Sequence, residues 1–249
     1  MPDIKIIKSI AKDCDLKNER NARVRDSKFN NLKYYGGHIE LVKDQIDTVK
    51  LQGVVRKKGE VRSFSLQELM TDGLDVYDSL IGEIIVEHGC WLHLYRGAKV
   101  EKLVCRYSGS EASINGEAVI EFLGLADGGT ASAKHGQIDQ VHVGRGGKLH
   151  ISERVVISQC EVVPNGILRV GYRYSRAQSV PVIHKLKACA DSAILFKGDC
   201  CIGELEVCCN AKIQRQFCAN VCIGKLFEQN RPVTNVTEWL HRHSVDFIS

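Results

Sequence analysis

The chain has 249 residues, of which 44% are hydrophobic and 26% charged, and its formal net charge at pH 7 is +4. This composition excludes a wholly disordered chain and a collagen-like fibre, and the small net charge gives no strong nucleic-acid signal. Twenty-two glycines against four prolines favour β-structure with many tight turns.

The start of the chain differs from its middle. Residues 1–35 are polar and basic, and we interpret them as a solvated lead-in or an interaction arm. No signal-peptide pattern and no membrane-spanning apolar run of about 18 residues is found. We therefore expect a protein that is cytoplasmic as synthesised, with non-classical export or truncation from a secreted parent as open alternatives. Residues 36–84 are predicted to form irregular first rungs, with a short helix over 66–72.

A repeat with a period of about 19 residues dominates positions 85–230. Gly128, Gly147 and Gly166 recur at exact multiples of this period. Alternating apolar residues follow the last two: Leu149 and Ile151, then Leu168 and Val170. This period predicts an all-β, right-handed parallel β-helix, in which each rung buries its apolar residues by stacking on its neighbours. We attribute the recurring glycines to a corner that needs positive φ, and we predict that the three glycines stack in register.

The last segment, residues 231–249, has a helical pattern. Asn235 and Glu238 form a capping pair, and four side chains share one helical face: Val236, Trp239, Leu240 and His243. We predict a short helix that caps the open end of the β-helix.

The cysteines are numerous and form no Cys-x-x-Cys pair, although six of the eleven lie between residues 200 and 222. Cys201 and Cys209 share the strand phase of Leu205 and Val207, so we expect both to be buried, reduced thiols, with Cys200 on the opposite phase. No metal is expected. Disulfides, or a cysteine-based metal or redox site in the C-terminal rungs, are the alternatives.

The repeat also resembles a known family. Its units read IDQVHVGRGGKLHISERVVISQCEVVPNGILRVG, and they are similar to the AIDA-type repeats of self-associating autotransporter adhesins. The resemblance covers roughly residues 85–170 and, more faintly, 190–227. It implies a parallel β-helix with a role in adhesion.

Residues one period apart stack in a β-helix, and this predicts a binding surface. The candidate residues are His142, His150, Arg154, Glu161, Arg169 and Arg173. We expect a non-enzymatic binding or scaffold protein that engages a protein or a glycan, such as an acidic one, without a cofactor. The oligomeric state is left open. One alternative is a glycan-active lyase or hydrolase, with carboxylates drawn from Asp127, Asp139, Glu153 and Glu161.

Overall fold

The computed structural model describes residues 4–17, 22–35, 38–52, 73–171, 180–216 and 219–245. The chain winds into a parallel coil in which short and long strands alternate, and each strand before the C-terminal segment pairs in parallel with its equivalent in the next turn. The predicted parallel β-helix and its predicted rung length are confirmed.

Two stacks of strands form the two main faces of the coil. The short-strand face contains β1 (Ile4–Ile7), β3 (Ala22–Arg25), β5 (His38–Val42), β7 (Gly73–Tyr77), β9 (Trp91–Leu94), β11 (Glu111–Ile114), β15 (Ile167–Val170), β17 (Ala193–Phe196) and β19 (Lys212–Gln216). The long-strand face contains β2 (Ile10–Lys17), β4 (Lys28–Tyr35), β6 (Gln45–Gln52), β8 (Leu80–Glu87), β10 (Lys99–Arg106), β12 (Ala118–Ala126), β16 (Val182–Ala188), β18 (Cys200–Val207) and β20 (Val221–Glu228). β13 (Thr130–Val143) and β14 (Lys148–Val162) run through both faces.

The core is a set of apolar columns that run along the coil axis. Successive strands place one such column in register: Leu92, Ala112, Ala131, Leu149, Leu168 and Ile194. All six are buried. The prediction that Leu149, Ile151, Leu168 and Val170 lie in one core is confirmed, because strand alternation sends every second side chain inward.

The predicted glycine stack is only partly correct. Gly147 precedes the Lys148–Ile167 pair and so stacks on Gly166, whereas its neighbour on the other side is Gly129 rather than Gly128. The reason we gave for the glycines is also wrong at two positions. Gly147 and Gly166 do not have positive φ. Instead, a Cβ on Gly147 would lie 2.7 Å from the Leu125 carbonyl oxygen, and a Cβ on Gly166 would lie 2.5 Å from the Val143 carbonyl oxygen. Close approach of adjacent rungs therefore excludes a side chain there.

The prediction of a solvated N-terminal lead-in is wrong, because residues 4–17 and 22–35 form strands of the coil. Ile4 pairs with Ala22, which pairs with Ile39, so these rungs are slightly shorter than those around Gly147. Their corners use positive φ at residues other than glycine, namely Lys8, Asp26, Lys43 and Asp78. The helix predicted over 66–72 lies outside the described residues.

The C-terminal cap is confirmed. β21 (Arg231–Pro232) pairs antiparallel with β20, α1 (Val236–Arg242) follows, and β22 (Ser244–Val245) pairs with β19. The Asn235 side chain accepts a hydrogen bond of 3.0 Å from the Glu238 backbone N–H, and α1 buries Trp239 and Leu240. Within the described part of the chain, no helix is long and apolar enough to cross a membrane.

The phase predicted for the C-terminal cysteines is wrong. Cys200 is buried, Cys201 is half-buried, and Cys209 is exposed. The pairing of β18 with β20 is interrupted at Gly203, so inward alternation restarts there and Cys201 falls on the outward side. Cys209 lies beyond the end of β18, where strand alternation no longer applies.

Candidate functional site

The six predicted binding residues do not form one surface. His150 and Arg169 are in-register neighbours on the short-strand face. His142 and Glu161 are neighbours on the long-strand face. Arg154 is paired with His135, before the long-strand part of β14 begins, and Arg173 lies outside the described residues. The structure therefore divides the prediction into two candidate surfaces.

The short-strand face carries a group of rings that we call the aromatic cluster: Tyr77, Trp91, His93 and Tyr95. The rings of Tyr77 and Tyr95 are stacked with centroids 4.4 Å apart. The rings of Trp91 and His93 are 4.5 Å apart. All four side chains are half-buried. A half-buried cluster of rings presents flat apolar surface beside polar tips.

Glycine at position 73 makes room for the largest ring of the cluster. Gly73 is the in-register neighbour of Trp91, and a Cβ on Gly73 would overlap the indole. The Trp91 indole therefore packs over the backbone of the preceding rung on the short-strand face.

Hydrogen-bonding groups converge at His93, within the aromatic cluster. Its Nδ1 is 3.2 Å from the Tyr95 hydroxyl and 3.4 Å from Oδ1 of Asp75. Burial, followed by the charge of Asp75, raises the pKa of Tyr77 to about 12, so its hydroxyl stays protonated and can donate a hydrogen bond. Rings and polar groups thus occur together on this part of the face.

A single outward column links the aromatic cluster to the predicted pair His150 and Arg169. We call it the short-strand column, and in register it runs Asp75, His93, Ser113, Ser132, His150 and Arg169. The two middle members, Ser113 and Ser132, have small side chains, so the surface is lower between the larger side chains at the two ends of the column. His93 and His150 are three rungs apart, roughly 14 Å at the usual strand spacing.

The far end of the short-strand column is basic. Arg169 is exposed, and Lys148 is exposed two positions before His150 on the same strand. His150 is half-buried, and its Nε2 lies 3.3 Å from the Gly171 carbonyl oxygen. Burial is the main factor that lowers the pKa of His150, with Arg169 acting in the same direction, so its neutral form is favoured. The column therefore leads from rings and a carboxylate to a guanidinium.

The second candidate surface is a groove on the long-strand face with a volume of about 360 Å³. Glu161 is at its centre: one carboxylate oxygen is 3.5 Å from His142 Nδ1, and the other is 3.5 Å from Lys187 Nζ. The Cys189 thiol also donates to Glu161 at 3.5 Å. Lys185 and Lys187 face Glu204 and Glu206 in register. The charges of this groove are largely compensated within it, which leaves fewer for a ligand.

The carboxylates considered for catalysis are dispersed. Glu153 is 3.1 Å from His135 through its Oε2, and Glu161 is engaged in the groove as described. Asp127 has positive φ in the turn between β12 and β13. Among the described residues, no group of three or more His, Cys, Asp or Glu side chains is arranged to hold a metal ion.

Sequence reasoning missed the aromatic cluster. The intervals from Tyr77 to Tyr95 and from Gly73 to Trp91 are slightly shorter than the period of the repeat that we identified, which begins with the glycines further along. The one signal available was this shorter spacing, and Gly73 lies outside the 19-residue glycine series that marks the later rungs.

A scan against protein-family models, a search of curated proteins and a search of solved structures each returned no match to this chain. The fold and the two surfaces therefore stand as the basis for a functional proposal.

Proposed function

We propose that the protein is a non-enzymatic, adhesin-like binding protein whose short-strand face engages an acidic glycan. The observation that supports this most is the short-strand column, which joins the aromatic cluster to Arg169 across small polar residues. The resemblance of the repeats to AIDA-type adhesins favours the same class of function.

The chemistry of a sugar ring matches the aromatic end. One face of a pyranose ring presents C–H groups and packs on an aromatic ring, while its hydroxyls need hydrogen-bond partners when they leave water. Trp91 supplies the ring surface, and His93 with Asp75 supplies polar groups beside it. The half-burial of these side chains leaves surface for a ligand.

The basic end selects the acidic type of glycan. A carboxylate or sulfate placed beside Arg169 gains charge-assisted hydrogen bonds from a planar guanidinium. Neutral His150, whose Nε2 donates to the Gly171 carbonyl oxygen, can accept a hydrogen bond from a sugar hydroxyl at Nδ1. The small side chains of Ser113 and Ser132 let a chain of sugars pass between the two ends.

The test is a binding screen of the purified chain against acidic and neutral oligosaccharides, followed by titration of the best ligand. We expect Trp91→Ala to weaken binding roughly tenfold, since a stacked ring contributes up to about 1.5 kcal/mol beyond the apolar area that it buries. Arg169→Ala is expected to weaken binding of acidic ligands and to leave neutral ones nearly unchanged.

The matched control is Gln159→Ala, which alters an exposed side chain of the groove on the long-strand face. Binding that is lost in Gln159→Ala and retained in Trp91→Ala would move the site to the groove. A chain that binds no oligosaccharide but captures a protein through Trp91 would contradict the glycan part of the proposal.

A further inference from the structure

Two cysteines of the C-terminal rungs are in-register neighbours. Cys201 on β18 pairs directly with Cys222 on β20, between the pairs Cys200–Val221 and Ile202–Ile223. Cys200 and Ile202 are buried, so strand alternation turns Cys201 and Cys222 outward. The two thiols are close enough to share a hydrogen bond.

The spacing of adjacent strands places this pair within reach of a covalent bond. In-register residues on neighbouring strands have Cα atoms roughly 4.8 Å apart, and disulfides occur at Cα separations of about 4.4–6.8 Å. Their Cβ atoms, pointing the same way, start slightly further apart than the usual 3.5–4.5 Å or so. The bond would therefore form with modest strain, and strained, exposed disulfides are the readily reduced ones.

We propose that Cys201 and Cys222 are a redox-sensitive pair that a hydroperoxide converts reversibly into an inter-rung disulfide. The Cys222 thiolate attacks the peroxide, the O–O bond breaks, and Cys222 becomes a sulfenic acid while the peroxide is reduced to water or an alcohol. The Cys201 thiolate then attacks that sulfur, the S–O bond breaks, and the hydroxide leaves as water after taking up the proton that the Cys201 thiol released. Two thiols and one hydroperoxide thus yield one disulfide.

Burial, followed by the neighbouring Cys222, raises the pKa of Cys201 as well, so what sets this pair apart is that its other member, Cys222, is exposed. Cys189 and Cys208 follow the paired Ala188 and Val207, so they form a second stacked pair. The Cys189 thiol, however, donates to Glu161, and burial together with that carboxylate raises the pKa of Cys189 to about 11. Cys105 and Cys160 are buried, and their burial raises the pKa of each to about 12. The exposed Cys222 is the member best placed to react first.

The bond would tie the end of the coil together. β20 is the last strand described on the long-strand face, and it is followed by β21 and the capping helix α1. A link between β18 and β20 would hold this terminal region to the preceding rung. Oxidation is therefore expected to slow amide hydrogen exchange in β20.

The experiment treats the reduced, full-length chain with hydrogen peroxide at near-stoichiometric concentration. Blocked thiols are then mapped by mass spectrometry after digestion with trypsin and a glutamate-specific protease, with fragmentation of linked peptides. We expect a Cys201–Cys222 link as the first product and its complete loss after a thiol reductant. The Cys201→Ser variant should accumulate a sulfenic acid at Cys222, trapped by a dione reagent.

The matched control is Cys209→Ser, because Cys209 is also exposed but lies beyond the paired part of β18. This variant should form the Cys201–Cys222 link as the unaltered chain does. Formation of a different disulfide first, over-oxidation of Cys222 without a link to Cys201, or modification of Cys209 before either member of the pair would overturn the proposal.

Discussion

At the scale of single residues, the most unusual side chain is the carboxyl of Asp44. It lies inside the corner of an N-terminal rung and is 1% exposed. Its Oδ1 accepts a hydrogen bond of 2.7 Å from the Ser27 N–H, and its Oδ2 accepts one of 2.9 Å from the Val42 N–H. Ser79 continues this buried polar column, since its hydroxyl oxygen lies 3.0 Å from the Asp44 N–H. A charged group in this column is costly because water cannot reach it.

Asp44 makes the stability of the fold depend on pH. Burial raises the pKa of Asp44 from 3.8 to about 6, against the lowering effect of its two backbone hydrogen bonds. The folded state therefore holds this proton more tightly than the unfolded state does. The free energy of unfolding should fall as pH rises from about 4 to 6 and should level off above that range.

Asp44→Ser should remove this contribution to the pH dependence, because a serine hydroxyl does not titrate in this range. The fold should tolerate the change, since serine already occupies the equivalent position in the neighbouring rungs. We expect the thermal midpoint of the variant to change less between pH 4 and 6 or so than that of the unaltered chain. Asp47→Ser, at an exposed position of β6, the strand that follows Asp44, is the control. An identical pH profile for Asp44→Ser and the unaltered chain would show that Asp44 does not titrate in this range.

At the scale of elements, the burial of side chains was predicted wrongly where the inward–outward alternation of a strand is interrupted. The alternation of β18 restarts at Gly203, which moved Cys201 from the predicted core to the surface. A period of two read along a sequence contains no sign of such a restart. The capping helix was predictable because Asn235 and Glu238 are a local signal that needs no knowledge of the rest of the fold.

The capping helix offers a test at this scale. Asn235→Ala removes the side-chain oxygen that accepts from the Glu238 N–H. We expect the change to cost about 1 kcal/mol of stability, measured by denaturant unfolding. Asn235→Asp keeps an acceptor and should lose little. Equal losses for the alanine and aspartate variants would mean that the cap does not stabilise α1.

At the scale of the whole molecule, the rungs with the 19-residue period were predictable, and the slightly shorter N-terminal rungs were not. The rungs around Gly147 and Gly166 can be recognised in the sequence, because the backbone of the adjacent rung leaves no room for a side chain at these positions and glycine therefore recurs. In the rungs that begin with Ile4 and Ala22, the described corners instead use positive φ at Lys8 and Asp26. The aromatic cluster could not be predicted, because Tyr77 and Tyr95 become neighbours only when the rung length is known.

Stacking of the core predicts a large penalty for a void. Leu168 is 0% exposed in the middle of its apolar column, and the rungs on either side hold their positions through backbone pairing. Leu168→Ala should therefore cost roughly 2–5 kcal/mol, measured by denaturant unfolding. Ile167→Ala, an outward half-buried neighbour, should cost clearly less. Equal costs at the two positions would contradict the inward assignment of Leu168.

Binding of a glycan at Trp91 on the short-strand face can be followed through the chain's two tryptophans. Trp91 is half-buried on that face, whereas Trp239 is 0% exposed on the inward side of the capping helix α1. Titration with the acidic oligosaccharide selected by the binding screen should change the tryptophan fluorescence of the unaltered chain and of Trp239→Phe. The change should disappear in Trp91→Phe. A fluorescence change that persists in Trp91→Phe, or binding by calorimetry with no change at all, would contradict glycan binding at Trp91.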